Sequence, residues 1–298
     1  MKLYAPEYYQ DFHCIADRCE HSCCIGWEID LDEEALAKYQ ALKGGYGAVI
    51  RESICTEGAP HFRLGEGERC PHLNEKGLCK IILNLGEEHL CGICREHPRF
   101  YNFTTVAEVG VGMSCEEAAR LILSSPRYDV MKEIGEVSAA EDGIDFDGRA
   151  EREKIYGILR DETLNYPTRL AKIREEYGIL EGEDKGWLER IEALEYLDPA
   201  HKELFFSYSK SRRPEGLDDY LERALAYFIY RHCTEAFDAE DFSIRLGFCL
   251  FCERLLASMI CTRGAGALRE VAELARILSE EIEYSDENTV ALIDAVEE

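Results

Sequence analysis

Apolar residues recur at helical spacing through the second half of the chain: Ile155, Ile158 and Leu159; Leu188, Ile191, Leu194 and Leu197; Leu217, Leu221, Leu225, Phe228 and Ile229. Stretches 246–260 and 268–278 continue the pattern. Positions three and four apart share one helix face, so each stretch predicts an amphipathic helix burying one stripe. No convincing period-two alternation appears beyond residue 150.

The first 125 residues read differently. Residues 27–31 (Trp-Glu-Ile-Asp-Leu) alternate like a strand, and Asp32 predicts the cap of a helix over 33–42 that stops at Gly44-Gly45. Segments 61–64 and 78–83 are expected to pair as strands around the turn Asn74-Glu75-Lys76-Gly77. A helical turn over 87–95 ends before Pro98, and 106–113 reads as a strand. Ser114 and Glu117 predict a capping box for a helix through Leu123. Residues 137–149 turn to Ala, Gly, Asp and Glu without periodicity, as a linker or exposed loop does. The expected fold is mainly α. A cysteine-rich, metal-nucleated region with a few short strands (1–130) precedes an acidic linker or loop (131–150) and an all-helical region (151–298).

Charge narrows the partners. The 298 residues carry a formal net charge of −26, with 46% hydrophobic and 32% charged positions, a globular composition. A surface this acidic repels phosphates, which argues against a nucleic-acid binder; it would attract a lysine-rich protein partner, although acidic helix faces more commonly serve only to keep a protein soluble. The first ten residues lack the apolar run of a signal peptide, and the longest apolar-rich stretch, 242–260, is broken by Arg245, Glu253 and Arg254. A cytoplasmic location without a membrane span is the expectation, and there thiols stay reduced.

Fourteen cysteines then become informative, because ten lie at or before Cys115. One group is Cys14-x4-Cys19-x3-Cys23-Cys24; the second runs through Cys70, Cys79, Cys91 and Cys94 to Cys115, with Cys55 between the groups. Clustered thiols in a reducing compartment point to a soft metal. Zinc favours paired C-x2-C ligands, and Cys91-x2-Cys94 is the one such pair in this region. The uneven spacing and surplus of thiols fit an iron–sulfur cluster better. Cys233, Cys249, Cys252 and Cys261 follow much later, the last three within an apolar helical run, where they read as small hydrophobes. Trp27 is positioned in sequence to shield a centre from water, while Arg95 and Arg99 are candidates to offset its charge or clamp a carboxylate. His13, His21, His72, His89 and His97 lie in the same region but none stands out as a ligand.

The order and spacing of Phe12-His-Cys14, Cys23-Cys24-Ile-Gly-Trp27-Glu-Ile-Asp30, Cys70-Pro-His-Leu-Asn-Glu-Lys-Gly-Leu-Cys79, Cys91-Gly-Ile-Cys94-Arg95-Glu-His-Pro-Arg99 and Ser114-Cys115 resemble the flagellin lysine-N-methylase (FliB-type) family. That family shares its cysteine motif with a wider group of zinc- or iron-chelating cysteine-cluster proteins. The resemblance covers roughly the first 125 residues. It implies an S-adenosylmethionine-dependent protein-lysine N-methyltransferase with a 4Fe–4S cluster, acting on a lysine-bearing protein such as flagellin. By motif match the implied ligand pool is Cys14, Cys19, Cys23, Cys24, Cys70, Cys79, Cys94 and Cys115; Cys91 is a less regular member, and His72 stands where the family often has Phe. A non-enzymatic zinc- or iron-chelating module and a cluster-based redox protein are the competing readings.

No catalytic residue is singled out, although Tyr101, Asp30 and Glu96 are candidate bases. The C-x3-C-x2-C spacing of radical methionine-cofactor enzymes is absent, since Cys19-x3-Cys23 is followed directly by Cys24. The segment Val106-Ala-Glu108-Val-Gly110-Val-Gly112 superficially matches a cofactor-cradling glycine turn. It reads better as a plain strand entering a helix.

Overall fold

The computed structural model describes residues 1–138, 146–179, 186–210 and 212–297. In chain order its elements are β1 (Lys2–Pro6), α1 (Glu33–Ala41), α2 (Gly45–Ser53), β2 (Ile54–Cys55), β3 (His61–Phe62), α3 (Lys80–Leu85), α4 (Gly92–Glu96), β4 (Arg99–Phe103), β5 (Ala107–Val111), α5 (Glu116–Ser124) and β6 (Met131–Glu136). The helical remainder comprises α6 (Gly148–Leu159), α7 (Tyr166–Glu176), α8 (Trp187–Ala193), α9 (His201–Phe205), α10 (Asp218–His232), α11 (Ala239–Arg263), α12 (Leu268–Ile282) and α13 (Asp286–Glu297). Contacts divide the chain into two compact units: Met1–Phe12 with Phe100–Glu298, and His13–Arg99.

The larger unit holds a four-stranded sheet of order β4-β5-β1-β6. β1 runs parallel to β5, with Leu3 opposite Ala107, and antiparallel to β6, with Pro6 opposite Met131. All five β5 positions are buried. Helix α11 is buried on almost every face along its middle, the pattern of a helix at the centre of a core. With Leu225 and Phe228 of α10 and Leu256 of α11 itself, Ile122, Ile155, Leu170 and Leu278 from neighbouring helices build this core. Local start signals agree with this packing: Asp147, Asn165 and Asp238 accept the amides of Ala150, Thr168 and Asp241 to cap α6, α7 and α11. No described helix is long and apolar enough to cross a membrane.

The smaller unit has a smaller core of Ile29, Leu31, Ala35, Tyr39, Ile50, Phe62, Leu73 and Ile81, with Cys70 and Cys91 among them. Asp32 caps α1 as the sequence indicates, accepting from Ala35 N at 2.8 Å. Its second oxygen accepts the Gly92 amide at 2.6 Å, which fastens α4 to α1 across sixty residues.

Several local expectations are corrected. Residues 27–31 form no strand; isolated bridges link Ile25 with Arg69 and Asp30 with His61, though Ile29 and Leu31 still point inward. The short strand β3 pairs with β2, and most of 78–83 is helical as α3. Asn74 explains the difference. Its Oδ1 accepts from Lys76 N and Leu78 N, closing a local turn that leaves only a Leu73–Cys79 bridge before the helix starts. α5 begins one residue later than a Ser114 cap requires, with Cys115 at the N-cap and no side chain capping it. The C-terminal region is helical as expected. The sheet draws 1–12 and 100–136 to the helical unit, so contacts divide the chain elsewhere than at residue 130. Part of the expected linker, 131–136, is strand β6, and 139–145 lie outside the described residues.

Candidate metal centre

Five thiols of the smaller unit converge on its core. Cys70 and Cys91 are buried, and Cys24, Cys79 and Cys94 pack partly buried against the same cluster. Backbone contacts bring the separate segments together: Cys70 N donates to Cys24 O at 2.8 Å, and Leu73 bridges Cys79. Cys79 and Cys91 are the N-cap residues of α3 and α4, so each lies where a helix begins. Tyr39, under the Cys91–Cys94 segment, donates its hydroxyl to His89 O at 2.6 Å.

The thiols influence one another. A hydrogen bond from Cys23 holds the Cys24 thiol down to about 7, so much of it is thiolate at neutral pH. Burial pushes Cys70 up to about 11 and raises Cys79 as well, with further repulsion from neighbouring thiols. In the Cys91–Cys94 pair the hydrogen bond favours thiolate at Cys91, whose value falls, and thiol at Cys94, whose value rises. A bound cation would draw all five toward thiolate, since metal ligation and deprotonation are coupled. The donor set therefore fits a soft metal centre. Among the described residues, the one group of three or more His, Cys, Asp or Glu donors all within 4.8 Å of each other is His201, Glu280 and Glu281 in the other unit. No three of the five thiols lie mutually within that distance, although Cys91 and Cys94 share a hydrogen bond.

Of the implied ligands, Cys24, Cys70, Cys79 and Cys94 belong to this group. Cys23 adjoins it through Cys24. Cys19 is half-buried and donates its Sγ to His21 O at 3.2 Å, while Cys14 is exposed. Cys115 lies in the larger unit, half-buried at the head of α5. Cys91 joins the group despite its irregular motif position; the C-x2-C spacing to Cys94 was its sequence signal. Cys55 lies half-buried in β2. Cys233, Cys249 and Cys252 are fully buried in the helical core, with Cys233 and Cys249 sulfurs 3.7 Å apart.

Among the other candidates, Trp27 packs tilted against His97 with ring centroids 6.5 Å apart. Arg95 pairs with Glu96 at 3.2 Å on the surface, and Arg99 donates to Arg95 O at 3.1 Å. Asp30 is exposed, and Tyr101 stacks on Phe103 along β4. His72 is fully buried and uses both ring nitrogens, toward Tyr46 Oη at 3.1 Å and Ser53 Oγ at 2.9 Å. It fills the position as a neutral core imidazole, and burial depresses it to about 4.

The glycine-rich segment has a packing role. A Cβ on Gly110 would lie 2.4 Å from Phe100 Cζ and 2.8 Å from Tyr230 Cε1, so Gly110 admits two aromatic rings. Glu108 is fully buried, held by Arg152 at 2.8 and 2.9 Å and by Arg149 at 3.1 Å. The residues of this strand-to-helix turn do not fit an S-adenosylmethionine cradle.

Similarity to known proteins is partial. The chain is 27% identical over 129 residues to the flagellar biosynthetic protein FliU of Salmonella muenchen, covering 41% of this chain and 76% of that protein. It is 27% identical over 129 residues to lysine-N-methylases of Salmonella choleraesuis and Salmonella typhimurium, again over 41% of this chain. The match spans about a third (32%) of each methylase. No family model matches the chain, and no solved structure does.

Proposed function

We propose that this chain is a lysine N-methylase of the flagellin type, dependent on S-adenosylmethionine, whose His13–Arg99 unit holds a 4Fe–4S cluster. The observation that carries the metal reading is the convergence of Cys24, Cys70, Cys79, Cys91 and Cys94 on one small core. Four of them suffice for one cluster. The cluster supplies iron–thiolate bonds that close the unit. Cys24 offers a thiol held lower than its ordinary value by the Cys23 hydrogen bond, and Asp32 positions Cys91–Cys94 by binding the Gly92 amide. The methylase reading is supported by the named relatives, and the net charge of −26 suits a lysine-bearing acceptor.

Anaerobic purification followed by iron, zinc and sulfide analysis tests the centre. Iron with acid-labile sulfide and a dithionite-bleached visible band are expected, and Cys24→Ser and Cys70→Ser should each lower iron content while Cys252→Ser does not. Stoichiometric zinc without sulfide refutes the cluster. Incubating the protein with S-adenosylmethionine and flagellin should add methyl groups to flagellin lysines by peptide mass spectrometry; iron-loaded protein that leaves every lysine unmodified refutes the methylase reading.

A further inference from the structure

The two edges of the four-stranded sheet differ in chemistry. β6, at one edge, carries exposed Lys132, Glu133 and Glu136, charges of the kind that keep an edge strand from pairing with another chain. β4, at the other edge, presents Tyr101 and Phe103, 37% and 42% exposed. Their rings stack at 11° with centroids 6.2 Å apart. The alternate residues of the strand face inward: Phe100 packs on Tyr230, and buried Asn102 donates to Tyr230 O at 3.0 Å. The outward positions of this edge are therefore aromatic where the opposite edge is charged.

One carboxylate touches that aromatic strand, and further acids follow it in the chain. Glu235 Oε1 accepts the Phe103 amide at 2.6 Å, fastening the turn after α10 to β4. Two residues further along that turn, Phe237 is 64% exposed, and Asp238 and Glu240 beside it are exposed as well. The basic residue of the strand, Arg99, is engaged with Arg95 O.

We infer that the β4 edge, with Tyr101, Phe103 and Phe237 and the carboxylates of Glu235, Asp238 and Glu240, is a docking surface for an extended, lysine-bearing peptide segment. Aromatic faces attract the ammonium group and pack on its methylene stem, and the flanking carboxylates select for positive charge. With the Phe103 amide taken by Glu235, an extended ligand would lie along the aromatic side chains rather than pair with that amide. A second copy of this chain is the less suited occupant, because it would bring the same carboxylates and another net charge of −26 to the contact. The inference names the substrate class for the proposed methylase, yet it concerns binding and requires neither cluster nor methyl donor.

The test is fluorescence anisotropy with the full-length protein and a labelled peptide of alternating lysine and threonine, against the same peptide with glutamate for lysine. The lysine peptide should bind, weakening as salt rises, and the glutamate peptide should not. The Tyr101→Ser/Phe103→Ser double variant, shown to be folded by its circular dichroism, should weaken binding by about tenfold or more, as loss of aromatic anchors does. Glu240→Lys, an exposed change outside the strand itself, should weaken it independently. Equal binding of both peptides, or unchanged affinity in the double variant, overturns the inference. So does self-association of the wild type that the double variant abolishes without any peptide binding. Peptide binding that persists while no lysine is ever methylated overturns the catalytic reading alone.

Discussion

His201 Nδ1 lies 2.6 Å from Glu281 Oε1, and the same buried carboxylate accepts the amides of Leu197 and Asp198 at 2.7 and 3.1 Å. Glu280 beside it is paired with Arg276 at 2.8 Å, so this compact donor group is already committed to holding the segment before α9 against α12. The hydrogen bond that the ring donates to Glu281 raises the imidazole above its ordinary value. A raised folded value means that the native state binds the proton more tightly than the unfolded one. The stabilisation is complete below the ordinary value of about 6.5 and is lost as pH rises through the folded value. His201→Gln should therefore cost about 1 kcal/mol at about pH 6 and progressively less toward about pH 9, read from urea denaturation of both proteins. A gap that stays constant with pH would assign the loss to packing alone. Individual residues of this kind were only partly legible beforehand. Asp32 announced itself as a cap through its position before an apolar-periodic stretch, whereas its second bond to Gly92 depends on a contact sixty residues away that no local pattern encodes.

At the scale of elements, the helices with regular apolar spacing were legible because each buries one face whatever its neighbours are. The strands were harder. β1 pairs with β5 and β6, more than a hundred residues away, and nothing in Lys2–Pro6 names those partners. The 78–83 stretch of Ile, Ile and Leu is short enough to suit either period, and the Asn74 turn decided it for the helix. Glu108 shows the cost of such long-range placement: a carboxylate at the centre of a buried sheet is tolerable only with a guanidinium supplied by α6. Arg152→Met leaves Glu108 buried with Arg149 as its remaining ion-pair partner and should cost about 3 kcal/mol, while adding Glu108→Leu should recover much of that loss. Thermal or denaturant unfolding of the three proteins measures it; a double variant no more stable than Arg152→Met would mean that packing, not the orphaned charge, sets the cost.

Across the whole molecule the two units differ in how much apolar core they hold. The larger has an extensive apolar core running from β5 through α5, α10, α11 and α12, crossed by buried ion pairs such as Arg152–Glu108 and Arg213–Glu253. The smaller encloses ten buried apolar residues, two of them cysteines, and much of its chain is turn and short helix. Thiol clustering was the most legible feature of the sequence, since order and spacing survive without knowledge of the fold. Which thiols converge was not legible: Cys91 joins and Cys115 belongs to the other unit, because both placements depend on tertiary contacts. On the proposed reading, a metal that binds only the folded form would stabilise a unit with so little apolar core. Removing the metal with a chelator under reducing, anaerobic conditions should therefore abolish hydrogen-exchange protection across α1, α2 and α3 while leaving α10, α11 and α12 protected. Restoring iron and sulfide should return it. Protection in α1–α3 that is indifferent to chelation, in protein shown to have lost its metal, would mean that the thiols pack as hydrophobes and that Asp32, Tyr39 and His72 suffice to hold the unit.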